Sequence, residues 1–446
     1  MLRYLIRPAT VLLAALLATV PARANPTITV DIGSGAVLNH DEAFRPWSPA
    51  SITKLMTAYV AFRAIERGEA TLETPVTMSA YAAAQPASKM YWKPGTTVTL
   101  GEAVVILMVK SGNDIASAVA ETIGGTELEF VEMMNEEAAR LGMEQTNFVN
   151  PHGLPDPGLR QVTTARDFAI LTGAIRSEFP QYDDLFTAEA IDTGLERPLL
   201  SYNLMLGRFE GADGMKTGFI CASGFNIVNT ATREIDGRER TIVTVVLGST
   251  DQESRAEQAA ELMQDGFDKL ASGEAASLPT LDSFEPYGDT TSRTDLRPQI
   301  CNAEAAASRR DGRDEQNRMV LDTDLITPRE RPPVTVTIEP GPPLPYPKLK
   351  PAALGGPEDQ PSMPQPPGSV TPEPMTKPID LAGAATVGEP VTTNDAMDAS
   401  DGAMEAIAAN DDVGAVAETD VNMATDASAT EAASAAVEAE PTAATQ

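Results

Sequence analysis

The last aromatic residue of this 446-residue chain is Tyr346 and the last cationic one is Lys377, so its C-terminal part lacks the side chains from which a core is built. Residues 331 to 377 are dense in proline, and beyond them come Ala, Thr, Ser, Gly and scattered acids. Such a stretch cannot bury enough apolar surface to offset the entropy of ordering it. The pattern predicts an extended linker running into a self-repelling, disordered acidic tail over 331–446. At the other end, residues 1–24 read as an export signal: Arg3 and Arg7 form a basic start, Val11 to Val20 an apolar stretch, and Ala22-Arg23-Ala24 a small-x-small cleavage site. That apolar run is short for a bilayer, so no stable membrane span is expected after processing. Between these ends the sequence predicts one enzyme-sized domain over 25–272, followed by an extension over 273–330 partly packed on it.

The formal net charge of −31 argues against nucleic acid and anionic lipid as partners, because both require a basic surface. Cys221 and Cys301 are the only cysteines, and in an exported chain two cysteines favour one disulfide over reactive thiols. The only histidines are His40 and His152, so no cluster of His and Cys has zinc-ligand spacing. Neither a metal nor another cofactor is expected.

Thr27 to Asp31 alternates polar and β-branched residues as a first strand does, and Gly33-Ser34-Gly35 supplies a turn into Ala36 to Asn39. After Pro49, apolar residues Ile52, Leu55, Met56, Tyr59, Phe62 and Ile65 recur at helical spacing until Gly68. Thr99-Leu100-Gly101-Glu102 and Thr126-Glu127-Leu128-Glu129 are capping boxes that open two further helices. Phe225 to Val228 and Thr241 to Leu247 read as strands joined through a turn at Asp236-Gly237, and a last helix runs from about Glu253 to Leu270. The domain is of mixed α/β (α+β) class.

Ser51-Ile52-Thr53-Lys54 places a hydroxyl and an amine three positions apart at a helix start, where both lie on one face. Serine attacks poorly unless a base removes its proton, and an amine does so only if burial or a second cation lowers its pKa. Alone, the spacing fits a solvated helix start equally well. Ser111-Gly112-Asn113 interrupts an apolar helical stretch between Val109 and Ile115 with small polar residues, as a functional loop or an ordinary turn would. Lys216-Thr217-Gly218 leads into a strand-like segment, where the lysine could equally be a surface cation.

Taken together and in this order, the three motifs resemble those of penicillin-recognising serine enzymes. The wording around them resembles the D-alanyl-D-alanine carboxypeptidases among the low-molecular-mass penicillin-binding proteins. It is carried by Pro49 to Thr57, by Asn150-Pro151-His152-Gly153-Leu154, and by Asp213-Gly214-Met215-Lys216-Thr217-Gly218. The resemblance covers roughly residues 27 to 270 and implies a penicillin-binding, β-lactamase-like transpeptidase fold: an antiparallel sheet flanked by helices, with a helical region alongside. It implies that Ser51 forms an acyl-enzyme, Lys54 is its general base, Ser111 relays a proton to the leaving amine and Asn113 binds the substrate backbone. Lys216 would be the second cation and Thr217 a contact to the terminal carboxylate, while the N–H groups of Ser51 and Phe219, beside Gly218, would form the oxyanion hole. The implied substrate is a peptidoglycan stem peptide ending in D-Ala-D-Ala, and β-lactam inhibitors should trap the same serine.

A free C-terminal carboxylate needs a fixed positive charge. Arg255, in Glu253-Ser254-Arg255-Ala256-Glu257, resembles the family's arginine for this purpose, with Arg208 a weaker rival. His152 invites a Ser-His-Asp reading, but its loop matches family text whose role is structural. Ile220 and Cys221 stand where the family usually has threonine shortly after Lys-Thr-Gly, so the substrate edge of this strand differs. A Cys221–Cys301 bond would fold the extension back beside the catalytic strand. Rival readings are a β-lactamase, for which no glutamate loop of the class A type is evident, a cross-link endopeptidase, and a silent peptidoglycan-binding protein.

Overall fold

The computed structural model describes residues 25–292, 294–305, 307, 321–328 and 331–341; the export segment and the tail beyond 341 lie outside the described residues. Strands β1 (Thr27–Asp31) and β2 (Val37–Asp41) form the opening hairpin. A 3-10 turn over Ala50–Thr53 then runs straight into α1 (Lys54–Glu66). The small hairpin of β3 (Pro75–Thr77) and β4 (Thr97–Thr99) encloses the short α2 (Ala80–Ala83). Helices α3 (Leu100–Val109), α4 (Asn113–Gly124), α5 (Glu127–Leu141) and α6 (Ala165–Glu178) follow. The reciprocal Thr99–Glu102 capping box starts α3, as its sequence predicts. Two short strands, β5 (Ala190–Asp192) and β6 (Leu199–Leu200), precede the long β7 (Ala212–Ile220), β8 (Gly224–Ile235) and β9 (Arg238–Ser249). Helix α7 (Gln252–Ser272), the short α8 (Arg297–Ile300) and β10 (Thr335–Thr337) complete the described chain.

The main sheet is antiparallel throughout, in the order β2-β1-β9-β8-β7. Both faces of its centre are covered, and β9 shows how one strand serves both. Ile242 and Val246 face the layer shared with α7, while Val243, Val245 and Leu247 join the larger core beneath the helical region. Helix α7 meets its face with Ala256, Ala259, Ala260, Met263, Phe267 and Leu270 at helical spacing. Where two buried hydroxyls meet across β1 and β9, Thr29 and Thr244 satisfy each other at 2.9 Å.

β8 and β9 run to 12 residues each, longer than the apolar stretches that mark them in the sequence. Their outer halves are polar and therefore carry no burial signal. They are paired all the same, across an Asp236-Gly237 turn whose φ values are 53° and 73°.

The expected linker boundary at residue 331 needs correcting. Thr335 to Thr337 pairs in parallel with β5, and Ile338 is buried at 1% exposure. Val334-Thr335-Val336-Thr337-Ile338 alternates as a strand does, but prolines on both sides hide it in the composition of the segment.

Candidate active site

Close packing of three backbone segments sets up the site. Ser51 sits in the 3-10 turn ahead of α1, after Ala50 in a left-handed conformation at φ 50°. That conformation is costly for a residue with a Cβ and persists only where its surroundings enforce it. The buried Asn226 of β8 does part of this: its Nδ2 donates to the carbonyls of Ser48 at 3.1 Å and Pro49 at 3.0 Å, while its Oδ1 accepts from Gly248 N at 2.9 Å. On the other side Gly153 approaches so closely that a Cβ there would lie 1.9 Å from the Ala50 oxygen. Gly218 of β7 is the third close approach, with Ser51 N and Ile52 N each 2.9 Å from where its Cβ would be.

Lys54, the first residue of α1, turns its amine back onto the serine. Its Nζ donates to Ser51 Oγ at 3.0 Å, Asn113 Oδ1 at 2.7 Å and the His152 carbonyl at 2.9 Å. Burial, and then the charge of Lys216, hold its pKa well below the usual lysine range. Asn113 is fixed from its other end, where Nδ2 donates to the Pro86 carbonyl at 2.9 Å. Ser111 lies between α3 and α4 at φ 64°, and its buried Oγ has no hydrogen-bond partner among the described residues. Lys216 Nζ donates to the Thr217 carbonyl at 2.9 Å, and burial followed by the charge of Arg255 brings its pKa down to about 7.

A cleft of about 700 Å³, counting its open mouth, joins Ser51, Ser111 and Asn113 to Thr217, Gly218, Phe219 and Arg255. Arg255 is 2% exposed, donates through Nη2 to the Tyr202 carbonyl at 3.0 Å, and lies 5.9 Å from the centre of the Phe225 ring. Arg208 does not line this cleft; its Nε donates to the Thr327 carbonyl at 3.0 Å. The structure thus gathers the residues of all three motifs into one place.

His152 meets the site through its carbonyl. Its Nδ1 accepts from Leu154 N at 3.2 Å, and burial, then Lys54, lowers its pKa to about 3, so the ring is neutral near pH 7. Cys221 and Cys301 are joined by a disulfide just beyond the end of β7. Among the described residues no group of three His, Cys, Asp or Glu is placed to hold a metal ion. Sequence reasoning missed Tyr202, Gln252, Ala87, Ser88 and Phe225 in the cleft wall, and Asn226 behind Ser51. Gln252, three residues before Arg255, could have been found from that neighbourhood; Tyr202 carries no local signal.

A family model described as D-alanyl-D-alanine carboxypeptidase matches residues 16–251. This chain belongs to the D-alanyl-D-alanine carboxypeptidase family. Within the family, a D-alanyl-D-alanine carboxypeptidase of Escherichia coli, DacD, is 33% identical over 245 residues, covering 54% of this chain and 62% of that protein. A Haemophilus influenzae member, DacA, is 33% identical over 243 residues, covering 54% of this chain and 61% of that protein. The match therefore spans about three-fifths of the length of these relatives. Penicillin binding protein 5 from Haemophilus influenzae has a solved structure that superposes with a TM-score of 0.51 at 32% identity, covering 55% of this chain and 71% of that one. The D-alanyl-D-alanine carboxypeptidase DacD from Francisella tularensis gives a TM-score of 0.50 at 29% identity, covering 59% and 73%. The fold of the family, a helix-flanked antiparallel sheet, is the fold of this chain.

Proposed function

We propose that this chain is an exported serine D-alanyl-D-alanine carboxypeptidase that removes the terminal D-alanine of peptidoglycan stem peptides through an acyl-enzyme on Ser51. One observation carries the reading: a fully buried amine, Lys54 Nζ, lies 3.0 Å from the Ser51 hydroxyl with its pKa held down by burial. An amine whose charged form is disfavoured in this way is suited to take up the serine proton rather than to stand by as a spectator cation.

Ser51 Oγ attacks the carbonyl carbon of the penultimate D-alanine as Lys54 takes its proton. The carbonyl oxygen becomes an oxyanion between the N–H groups of Ser51 and Phe219. As the C–N bond breaks, that proton passes by way of Ser111 to the leaving amine, and free D-alanine departs. The otherwise unpartnered Ser111 Oγ supports this role. Water then hydrolyses the ester and restores Ser51. Asn113 holds the substrate backbone, Lys216 supplies the second cation, and Thr217 with Arg255 takes the terminal carboxylate. A β-lactam presents a strained amide to the same serine and leaves its acyl group there.

A periplasmic location is supported by the export-type segment at 1–24 and by the disulfide. Among the described residues no helix is long and apolar enough to cross a membrane. The test labels the purified chain with a fluorescent penicillin beside Ser51→Ala and assays D-alanine release from a peptide ending in D-Ala-D-Ala. Label and release should both vanish in the variant. Labelling that survives it, or a labelled wild type that frees no D-alanine, overturns the reading.

A further inference from the structure

Residues 321–328 and 331–341 lie well beyond the family match, which ends at 251, yet they grip the stretch that carries Tyr202 into the cleft. That stretch, 189–208, contains only the short β5 and β6. It is held at both ends. At the first, Arg331 Nη2 donates to Glu189 Oε1 at 2.6 Å, and the Glu189 side chain is 2% exposed. The Val334 carbonyl accepts from Glu189 N at 2.8 Å and Ala190 N at 3.0 Å, β10 pairs with β5, and Ile338 N donates to the Asp192 carbonyl at 2.7 Å. At the second, Thr327 donates to the Arg208 carbonyl through both N and Oγ1, each at 3.1 Å, and Arg208 Nε answers to the Thr327 carbonyl at 3.0 Å. Ile326 packs into the same core as Leu204, Met205 and Phe209.

Between the clamps the contacts lead to the cleft. Ser201 N donates to the Glu189 carbonyl at 2.9 Å, the Tyr202 carbonyl accepts from Arg255 at 3.0 Å, and Asn203 Nδ2 donates to the Gly214 carbonyl at 3.2 Å, on the strand that bears Lys216. We propose that this C-terminal segment is a positioning strap: by fixing both ends of 189–208 it sets the Tyr202 carbonyl, and through it the Arg255 guanidinium, for the substrate's terminal carboxylate. The inference rests on the reading of Arg255 as the carboxylate's ligand. A connection with so little regular structure of its own would otherwise sample many positions. The Ser51–Lys54 pair is held separately, by Asn113 and the His152 carbonyl. Loss of the strap therefore weakens substrate binding and spares the chemical step.

The test is Arg331→Ala in the full chain, a change at a half-exposed side chain. KM for a peptide ending in D-Ala-D-Ala should rise at least threefold with kcat unchanged within twofold, and Arg331→Lys should restore most of it. Val336→Pro, which breaks β10, should give the same pattern. In an Arg255→Ala background Arg331→Ala should add nothing to KM, because the group it positions is gone. Amide hydrogen exchange over residues 199–206 should speed up at least tenfold in Arg331→Ala, a readout that needs no activity. Unchanged exchange there, an unchanged KM, or an equal KM increase in the Arg255→Ala background each refutes the strap. A wild type that takes no penicillin, with exchange at 199–206 still responding, instead refutes the proposed reaction and with it the strap's link to the carboxylate.

Discussion

Replacing Cys221 and Cys301 together by serine opens a crosslink whose ends are 80 residues apart, and the expected cost follows from that separation. Loop-closure entropy for a chain of this length corresponds to roughly 4.5 kcal/mol at 25 °C. For a domain of this size that is about 10 to 15 °C in melting temperature, or on the order of 1.5 M in the urea midpoint. The enclosed chain contains β8, β9 and α7, the centre of the sheet and one of its covering layers, so the bond restrains the unfolded chain where folding has most to assemble. In the native state the turn after β7 is held independently. Trp47 Nε1 donates to the Ser223 carbonyl at 3.0 Å and Leu296 N to the Ala222 carbonyl at 3.1 Å. The serine variant should therefore lose stability but acylate with penicillin within about twofold of wild type per folded molecule. Urea titrations with and without dithiothreitol check the first half, since reduced wild type should coincide with the variant, and the penicillin-labelling rate of the folded variant checks the second. A midpoint shift below about 0.3 M refutes the entropic reasoning. An unshifted midpoint with acylation slowed tenfold would move the bond's effect onto the native strand.

Gly218→Ala puts a methyl group 2.9 Å from Ser51 N and Ile52 N and 3.0 Å from the Pro49 oxygen, all main-chain atoms, so the nucleophile must shift; penicillin acylation should fall about 100-fold with the circular dichroism spectrum intact. With Lys54 held below the usual lysine range as the base, acylation should show a falling limb where Lys216 loses its proton near pH 7, read from the pH dependence of the penicillin-labelling rate. Arg255→Ala removes a like charge beside Lys216, which favours the protonated amine, so the falling limb should move to higher pH; a limb that moves down contradicts the assignment. His152→Asn should retain acylation within about tenfold, whereas loss of a triad base costs orders of magnitude more. Asn226→Ala removes the amide that donates to the carbonyls of Ser48 and Pro49 and should cost roughly 2 kcal/mol in chemical denaturation, with slower acylation.

What the sequence disclosed here is what local spacing determines. Ser51 and Lys54 are three residues apart where the chain turns into a helix, and that spacing puts the amine within reach of the hydroxyl. The Thr99–Glu102 box and the Asp236-Gly237 turn are equally local, and each stands where its residues predict. Asn226, by contrast, reaches back 177 residues to the Pro49 carbonyl, and its own strand context says only that it is a polar residue in an apolar run. Tyr202 is further still from legibility, because it contributes a backbone carbonyl, and a carbonyl has no residue identity to read.

The same contrast explains why the strand at Thr335–Thr337 is hidden in the composition of its segment. Composition asks whether a segment can form a core of its own, and the proline-bounded stretch around Val336 cannot. A segment that adds one strand to a core already built needs only a few alternating β-branched residues and an open partner, here β5. The Ser51–Lys54 spacing is therefore local, while the groups that hold and tune the lysine, Asn113, His152 and Lys216, come from distant parts of the chain.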